Sequence, residues 1–598
     1  MKGLDLFKKS KKLQKDMKSL LITLGHNSSA IFVPENGNPI GYEEERFSGI
    51  KADSQFPNDA IAEIIRNVGI KEVKGCKVFV SDWFDFNGKS YPNKYMTETD
   101  IENLKELSDD ITFLSEKFTH HDAHAYSALA FFNYHFNKRN LKFKNSSKVH
   151  ILVADGFGNN GEVISVYEIS NYEKDKTPKL VHRVYGHKNS IGLMYQYATS
   201  YVGMKENQDE YKFLGYEAHI DEYLSKRHIS LLDEFVDKLS NTLFENFEKC
   251  TSPKNYIVTD DIINFDSLKK TKEYFFNVFH EAYTSVWPDQ NKEKYSDEEN
   301  SFIQRTIVAY CLQQTVERFF AKVAEKFKIE NLIVAGGSFY NVKLNNSLFE
   351  NIKGYFCAMP LAGDQGAAIG MYEKYVGQQF NFETLCIGKR NFYGAEKVFK
   401  NNFYKEPTEE LAEEIARKIA DGYIVDLVHG AMEFGPRALM HTSSLFIPTV
   451  QNTAQNNSNN LRNEVMPCAP VLLKKNADIL FDKKQNDRVV GSDEFMILTH
   501  TYQRGYCELY GGVMHKITLK DGYSGRPQIV REGTFEELIL QKLEKLCDIK
   551  CIVNTSFNKH GTPILYGMKQ IKDDYNFTVE HSKLNGYEKQ PLLYVIGE

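Results

Sequence analysis

His120 and His124 stand four residues apart in the run His120-His121-Asp122-Ala123-His124. On a helix, side chains at i and i+4 share one face, so this spacing lets two imidazoles grip one metal ion. Asp155, just after the apolar run Val149–Ala154, and Asp364, just after Gly363, add two carboxylates. A mixed nitrogen and oxygen donor set suits Fe, Zn or Mn better than Ca and does not choose among the first three. Taken singly, each residue also has a plain structural role: a hydrogen-bonded core histidine, a turn aspartate, a helix N-cap.

A second group of residues points to anions. Asn554-Thr555-Ser556-Phe557-Asn558 follows the apolar strand Cys551-Ile552-Val553 and is dense in hydrogen-bonding side chains. In Gly435-Pro436-Arg437 the Gly-Pro pair fixes a turn, from which Arg437 projects. Arg is the natural bidentate partner of a phosphate or a carboxylate. Arg462 and Arg526 are further candidate anion ligands. The plain alternatives are a surface salt bridge for Arg437 and a capped helix start for the Asn554 block.

The elements that position these groups read as repeated hairpins. Leu20–Leu24 turns at Gly25-His26-Asn27-Ser28-Ser29 into Ala30–Val33, and Val149–Ala154 turns at 155–162 into Val163–Tyr167. Gly-rich and small polar turns of this kind expose N–H groups that can face phosphates. Asn331–Ala335 then runs into Gly336-Gly337, where glycines admit close approach of a ligand. Two such hairpins followed by strand-Gly-Gly resemble the actin-like ATPase and sugar-kinase fold. The charged, aromatic stretch 222–300 reads as a mainly helical insertion that shapes an acceptor pocket. A boundary falls near 375–403. Beyond it Leu411, Ile415 and Ile419 mark one helix face, Tyr423–Val428 a strand, and the remainder an alternating α/β domain.

Composition narrows the function classes. The chain has 598 residues, 42% hydrophobic and 26% charged, with a net charge of -6, which is ordinary for a globular enzyme and gives no broad basic surface for nucleic acid. Its nine cysteines include no Cys-x-x-Cys pair and read as reduced thiols of a cytoplasmic protein. No stretch reaches the roughly 18–20 apolar residues of a membrane span. The Lys-rich segment 1–19 lacks an apolar signal core and reads as a solvated extension.

In order, Gly25–Ala30, Glu43-Glu44-Glu45-Arg46-Phe47, His120–Ala125, Asp155-Gly156, Ala335-Gly336-Gly337, Ala362–Gly366, Met432–Leu439 and Asn554–Asn558 resemble the O-carbamoyltransferases of the NodU/CmcH type, over almost the whole length. The resemblance implies an α/β protein with an actin-like carbamoyl-transfer domain over 20–385 and a YrdC-like domain over 395–598. The YrdC-like domain would form carbamoyl adenylate from carbamoyl phosphate and ATP, releasing pyrophosphate. The actin-like domain would pass the carbamoyl group to a hydroxyl of a small molecule, sugar or nucleoside, with AMP leaving.

It also implies roles. His120, His124, Asp155 and Asp364 would hold a divalent metal, iron first, with zinc or manganese as alternatives and Mg2+ as a further ion. Gly156, Gly336, Gly337 and Asn341 would line the nucleotide. Arg437, Arg462, Arg526, Asn554 and Ser556 would bind carbamoyl phosphate or ATP. His26 would position or deprotonate the acceptor hydroxyl. Two departures stand out: Asn460 where the family usually has Lys, and Met466 where some members carry Arg. Alternatives are a base-modifying transferase acting on nucleic acid and a binding relative without turnover. A homodimer is compatible with these features, and nothing points to a membrane.

Overall fold

The structure is a computed structural model that describes residues 17–81, 95–144, 146–252, 265–462, 468–481, 487–505 and 510–597. The Lys-rich segment up to residue 16, and Met466, lie outside the described residues. Among the described residues from 17 to 113, a five-stranded sheet forms from β1 (Ser19–Thr23), β2 (Ser29–Val33), β3 (Ile40–Glu43), β4 (Lys77–Ser81) and β5 (Ile111–Phe113). Its order is β3-β2-β1-β4-β5, with β1 antiparallel to β2 and parallel to β4. A second sheet repeats this plan: β6 (Val149–Ala154), β7 (Glu162–Ile169), β8 (Lys179–Tyr185), β9 (Asn331–Ala335) and β10 (Phe356–Ala358), in the order β10-β9-β6-β7-β8. Again the hairpin partner is antiparallel and the central neighbour parallel. This duplication is the actin-like, sugar-kinase-type topology. Strands β1, β6 and β9 are buried on both faces because helices cover both sides, so they read as unbroken apolar runs.

Two helices carry the central layer. Helix α1 (His120–Lys138) begins at a capping box in which the Thr119 backbone N–H donates to Asp122 Oδ2 at 2.8 Å. Between β8 and β9 run the long helices α2 (Lys226–Lys249), α3 (Phe265–Val286) and α4 (Asp297–Lys326). Helix α5 (Ala367–Tyr375) packs along α1. The contact is close because a Cβ at Gly370 would collide with the carbonyl of Ala123.

The rest of the chain folds on a seven-stranded mixed sheet. Strand β11 (Cys386–Gly388) leads into it. The sheet contains β12 (Phe403–Tyr404), β13 (Val425–His429), β15 (Thr442–Phe446), β16 (Ala469–Leu472), β20 (Gln528–Ile529), β21 (Cys551–Ser556) and β22 (Leu592–Ile596). Strand β14 (Met432–Glu433) pairs with β11, and β17 (His500–Thr501), β18 (His515–Lys516) and β19 (Tyr523–Gly525) form a small separate sheet. Helices α6 (Glu409–Ala420) and α7 (Phe535–Cys547) pack on one another; α6 buries Leu411, Ile415 and Ile419 as the spacing predicts. The polar block Asn554–Ser556 does not follow β21 but is its end. It is held there by pairing with β15 on one side, while Asn554 also pairs with Ala469 of β16 on the other.

The two halves interlock. Phe356 of β10 donates its N–H to the Arg488 carbonyl at 2.9 Å and accepts from Val490 N–H at 2.8 Å. Arg139, just past α1, reaches Asp493 at 3.1 Å and Glu494 at 2.8 Å.

Candidate functional site

Asp155 leaves the end of β6 and Asp364 opens a short turn after β10, so both carboxylates come from the same end of one sheet. Helix α1 presents His120 and His124 to them. The His120 Nε2 lies 3.1 Å from His124 Nε2, 3.1 Å from Asp155 Oδ2 and 3.2 Å from Asp364 Oδ1. All four donor atoms fall within 4.8 Å of one another, and all four residues are buried. Two imidazole nitrogens facing each other at this distance need a proton or a cation between them. Two N and two O donors converging on one point therefore fit a divalent metal. With protons alone, burial works against a charged His120, but Asp364 and Asp155 outweigh it and hold the imidazole up at about 10. Burial alone would raise Asp364, yet His120 and His26 keep it well below the usual carboxylate range.

Neighbours fix each ligand in place. The Gly337 N–H donates to Asp155 Oδ1 at 3.0 Å, leaving Oδ2 for the histidines. Gly336 has φ +94°, and a Cβ there would strike the Ala154 carbonyl. The close neighbour of both glycines on this side is the end of β6, with Ala154 against Gly336 and Asp155 against Gly337. The start of α1 rests on Glu162, which is fully buried. Its carboxylate accepts from His121 N–H at 3.0 Å and Thr119 Oγ1 at 3.1 Å, and Arg183 pairs with it at 3.0 Å. Glu162 and Arg183 were not singled out from sequence; a Glu opening β7 carries no signal of its partner.

His26 sits in the turn between β1 and β2 with half of its side chain exposed, and its Nδ1 is 3.5 Å from Asp364 Oδ2. It is thus at the mouth of the His-Asp cluster. Gly156 has open space where a Cβ would project. Asn341 is different. Its Oδ1 caps the helix Val342–Asn351 and its amide donates to Tyr195 Oη at 2.6 Å and Gln313 Oε1 at 2.7 Å.

The C-terminal residues gather around the turn Gly435-Pro436-Arg437. Glu433, fully buried, organises it by accepting from the N–H groups of Leu439 at 2.9 Å, His441 at 3.0 Å and Thr442 at 2.8 Å. Arg437 and Arg526 lie within reach of each other's charge. Burial lowers the proton affinity of both guanidiniums, and the Arg437 charge lowers Arg526 further. The ionisable groups acting against this are Tyr211, Tyr340 and Cys468, with no carboxylate among them. Two guanidiniums within each other's field, with no carboxylate acting on either among the described residues, are a candidate seat for an anion.

Arg462 is tied to the polar block. Its guanidinium donates to Thr555 Oγ1 at 2.6 Å, the Ser556 carbonyl at 2.8 Å, Ser556 Oγ at 3.1 Å and Asn558 Oδ1 at 3.0 Å, tying the polar block together. These bonds hold the Arg462 guanidinium beside Ser556 Oγ, the residue expected with it at the donor phosphate. Asn554 donates to the Ala438 carbonyl at 3.0 Å and Gln528 Oε1 at 2.5 Å, so it too braces the Arg437 turn. Asn460 is buried and donates back to the Asn456 carbonyl at 3.0 Å, closing the helix Val450–Asn459 rather than replacing a cation.

The block Glu43–Phe47 has a definite task. Glu43 Oε2 accepts from Gly435 N–H at 3.0 Å, and Arg46 Nη2 donates to the Gly435 carbonyl at 2.7 Å and pairs with Glu43. The N-terminal sheet thereby grips the Arg437 turn. Tyr340 is within reach of the charges of both Arg437 and Asp364, and its hydroxyl accepts from Gln365 Nε2, next to Asp364, at 2.5 Å.

Two family profiles match the chain: Carbamoyltransferase N-terminus over residues 19–372 and Carbamoyltransferase C-terminus over 416–583. Uncharacterized protein MJ1051 of Methanocaldococcus jannaschii is 25% identical over 92% of this chain and 95% of its own length. Nodulation protein NolO of Bradyrhizobium diazoefficiens is 26% identical over 48% of this chain and 54% of that protein. Among solved structures, full-length HypF in the phosphate- and nucleotide-bound form aligns over 60% of this chain and 55% of that chain, at 13% identity and a TM-score of 0.29.

Proposed function

The chain belongs to the carbamoyltransferase family, and from that premise we propose that it is an ATP-dependent enzyme with two successive half-reactions. In the first, water cleaves carbamoyl phosphate to carbamate and phosphate. The carbamate oxygen then attacks the α-phosphorus of ATP and expels pyrophosphate, leaving carbamoyl adenylate. In the second, an acceptor hydroxyl attacks the carbamoyl carbon, loses its proton, and AMP departs. The acceptor is a hydroxyl of a small molecule, sugar or nucleoside.

The YrdC-like half, 395–598, carries the first step. Arg437 and Arg526 hold the phosphate of the donor, and Ser556 borders that seat. Arg526 supplies the second cation that Asn460 does not. The actin-like half, 20–385, carries the second step. His120, His124, Asp155 and Asp364 hold the metal, iron before zinc or manganese, which supplies positive charge against developing negative charge at oxygen. His26 takes or orients the proton of the acceptor hydroxyl, since it is the exposed member of the cluster and leans on buried Asp364. The observation that supports this reading is the hold of Glu43 and Arg46 on Gly435, which ties the sheet of the N-terminal half to the turn that carries Arg437. Among the described residues no helix is long and apolar enough to cross a membrane, and the described cysteines are free thiols; a cytoplasmic setting belongs to the same reading.

The test is exchange of labelled pyrophosphate into ATP without any acceptor. Exchange should require carbamoyl phosphate. Arg437→Ala should abolish it, whereas His26→Ala should keep exchange and lose transfer. Exchange that is absent, or indifferent to carbamoyl phosphate in folded protein, overturns the proposal.

A further inference from the structure

A second cluster of metal-ligating side chains lies in the C-terminal half, outside the chemistry assigned above. His429 ends β13, His441 immediately precedes β15, and Glu536 stands in the first turn of α7. The Glu536 Oε1 lies 2.8 Å from His441 Nε2 and 3.3 Å from His429 Nε2. The two imidazoles are stacked, with centroids 4.3 Å apart and planes at 24°. All three donor atoms fall within 4.8 Å of one another. His429 is buried, with 2% of its side chain exposed, and Glu536 has 9%.

From this convergence we propose that His429, His441 and Glu536 form a second metal site, for a divalent ion of the zinc class, with a water in the fourth position. The geometry argues for it in two ways. Tetrahedral zinc with bonds of about 2.0–2.2 Å separates its donors by roughly 3.3–3.6 Å, and His-His-Glu is a recurrent zinc triad; the Glu536–His429 spacing of 3.3 Å matches, while the Glu536–His441 spacing of 2.8 Å is a hydrogen bond that an ion would open and replace. A cavity of about 30 Å³ opens beside His441 and Glu536, lined also by Cys386, Gln528 and Arg531. That is room for one water. Without an ion the triad is held by sharing a proton between histidine and carboxylate, which is the competing account.

The site has a place in the architecture. The His441 N–H is one of the three that organise Glu433, and Glu433 shapes the turn that presents Arg437. A metal here would pin α7 to the start of β15 directly behind the anion seat. It would stiffen that seat without touching the donor.

The experiment isolates this site by removing the first one. Full-length His120→Ala/His124→Ala protein is stripped with a chelator, titrated with Zn2+, desalted and assayed for bound metal by plasma mass spectrometry, with thermal unfolding in parallel. The expected result is one retained zinc per chain and a higher unfolding midpoint on zinc addition. Adding Glu536→Gln, which keeps shape and folding, should abolish both. Adding His441→Ala instead should do the same, with circular dichroism reporting the fold. A folded His120→Ala/His124→Ala protein that retains no zinc overturns the proposal. So does zinc retained undiminished after Glu536→Gln.

Discussion

At the scale of single residues, a ligand is as good as the group that spends its unused atoms. Asp155 can offer Oδ2 to the histidines because Gly337 N–H occupies Oδ1. A Cβ at Gly337 would sit 2.9 Å from that oxygen. Gly337→Ala should therefore rotate the carboxylate and weaken metal binding by about 10–100-fold, the usual cost of losing a supporting contact to a ligand. Gly156→Ala, one residue from the same aspartate, meets nothing and should leave metal affinity unchanged. Competition with a chromophoric chelator measures both, and equal affinities for the two variants would remove Gly337 from this role. The metal quartet was legible in the sequence because the i, i+4 spacing of His120 and His124 is a local signal. Asn341, Arg462 and Asn554 were not legible in the same way. Their side chains look ligand-ready, and the internal bonds they make, to Gln313, Asn558 and Gln528, are to residues that only the fold brings in.

At the scale of elements, the site depends on how closely two helices approach. Helix α1 carries both histidines, and α5 lies against it with no side chain at Gly370 to hold them apart. Gly370→Ala should push α1 outward and destabilise the N-terminal half by about 1–3 kcal/mol, the usual cost of overpacking. It should also lower metal content, which denaturant unfolding and metal analysis together would detect. The C-terminal sheet makes a prediction of opposite sign. Asp426, buried in β13 with Ser444 Oγ donating to it at 2.5 Å, is pushed up by burial to about 7. Its folded pKa lies above the unfolded value near 3.9, so folding favours the protonated form. That contribution is whole below pH 4 and is lost as pH rises through 7. Asp426→Asn should leave the unfolding midpoint unchanged at pH 4 and raise it at pH 8; a midpoint lowered at pH 8 would contradict the assignment. Elements themselves were readable where apolar runs or helical periodicity were long, as in β6, β9 and α6. The end of β21 was misread, because polar residues continue a strand only when neighbours such as β15 supply the pairing.

At the scale of the whole molecule, the two half-reactions proposed above would share a reactive intermediate, and the contact between the halves nearest Arg437 in sequence is the grip of Glu43 and Arg46 on Gly435. The partners of the Arg46 bond lie 389 positions apart in the chain, so no local pattern could have paired them, although the block Glu43–Phe47 was visible as a block. Arg46 is 2% exposed and bonds Glu43, Glu45 and the Gly435 carbonyl at once. Lysine keeps the charge but not the planar fork that reaches all three. In Arg46→Lys the buried ion pair with Glu43 survives in part, which limits the loss of stability that an unpaired Glu43 would cause. The Gly435 bond is lost, so the Arg437 turn is no longer registered against the His-Asp cluster. Pyrophosphate exchange, which needs only the C-terminal seat, should then persist. Carbamoylated product should fall relative to AMP released, because adenylate escapes to water before reaching the acceptor. The ratio of product to AMP in one assay reads this directly. If exchange and transfer decline together by the same factor, the clamp serves folding alone and not the passage between the two seats.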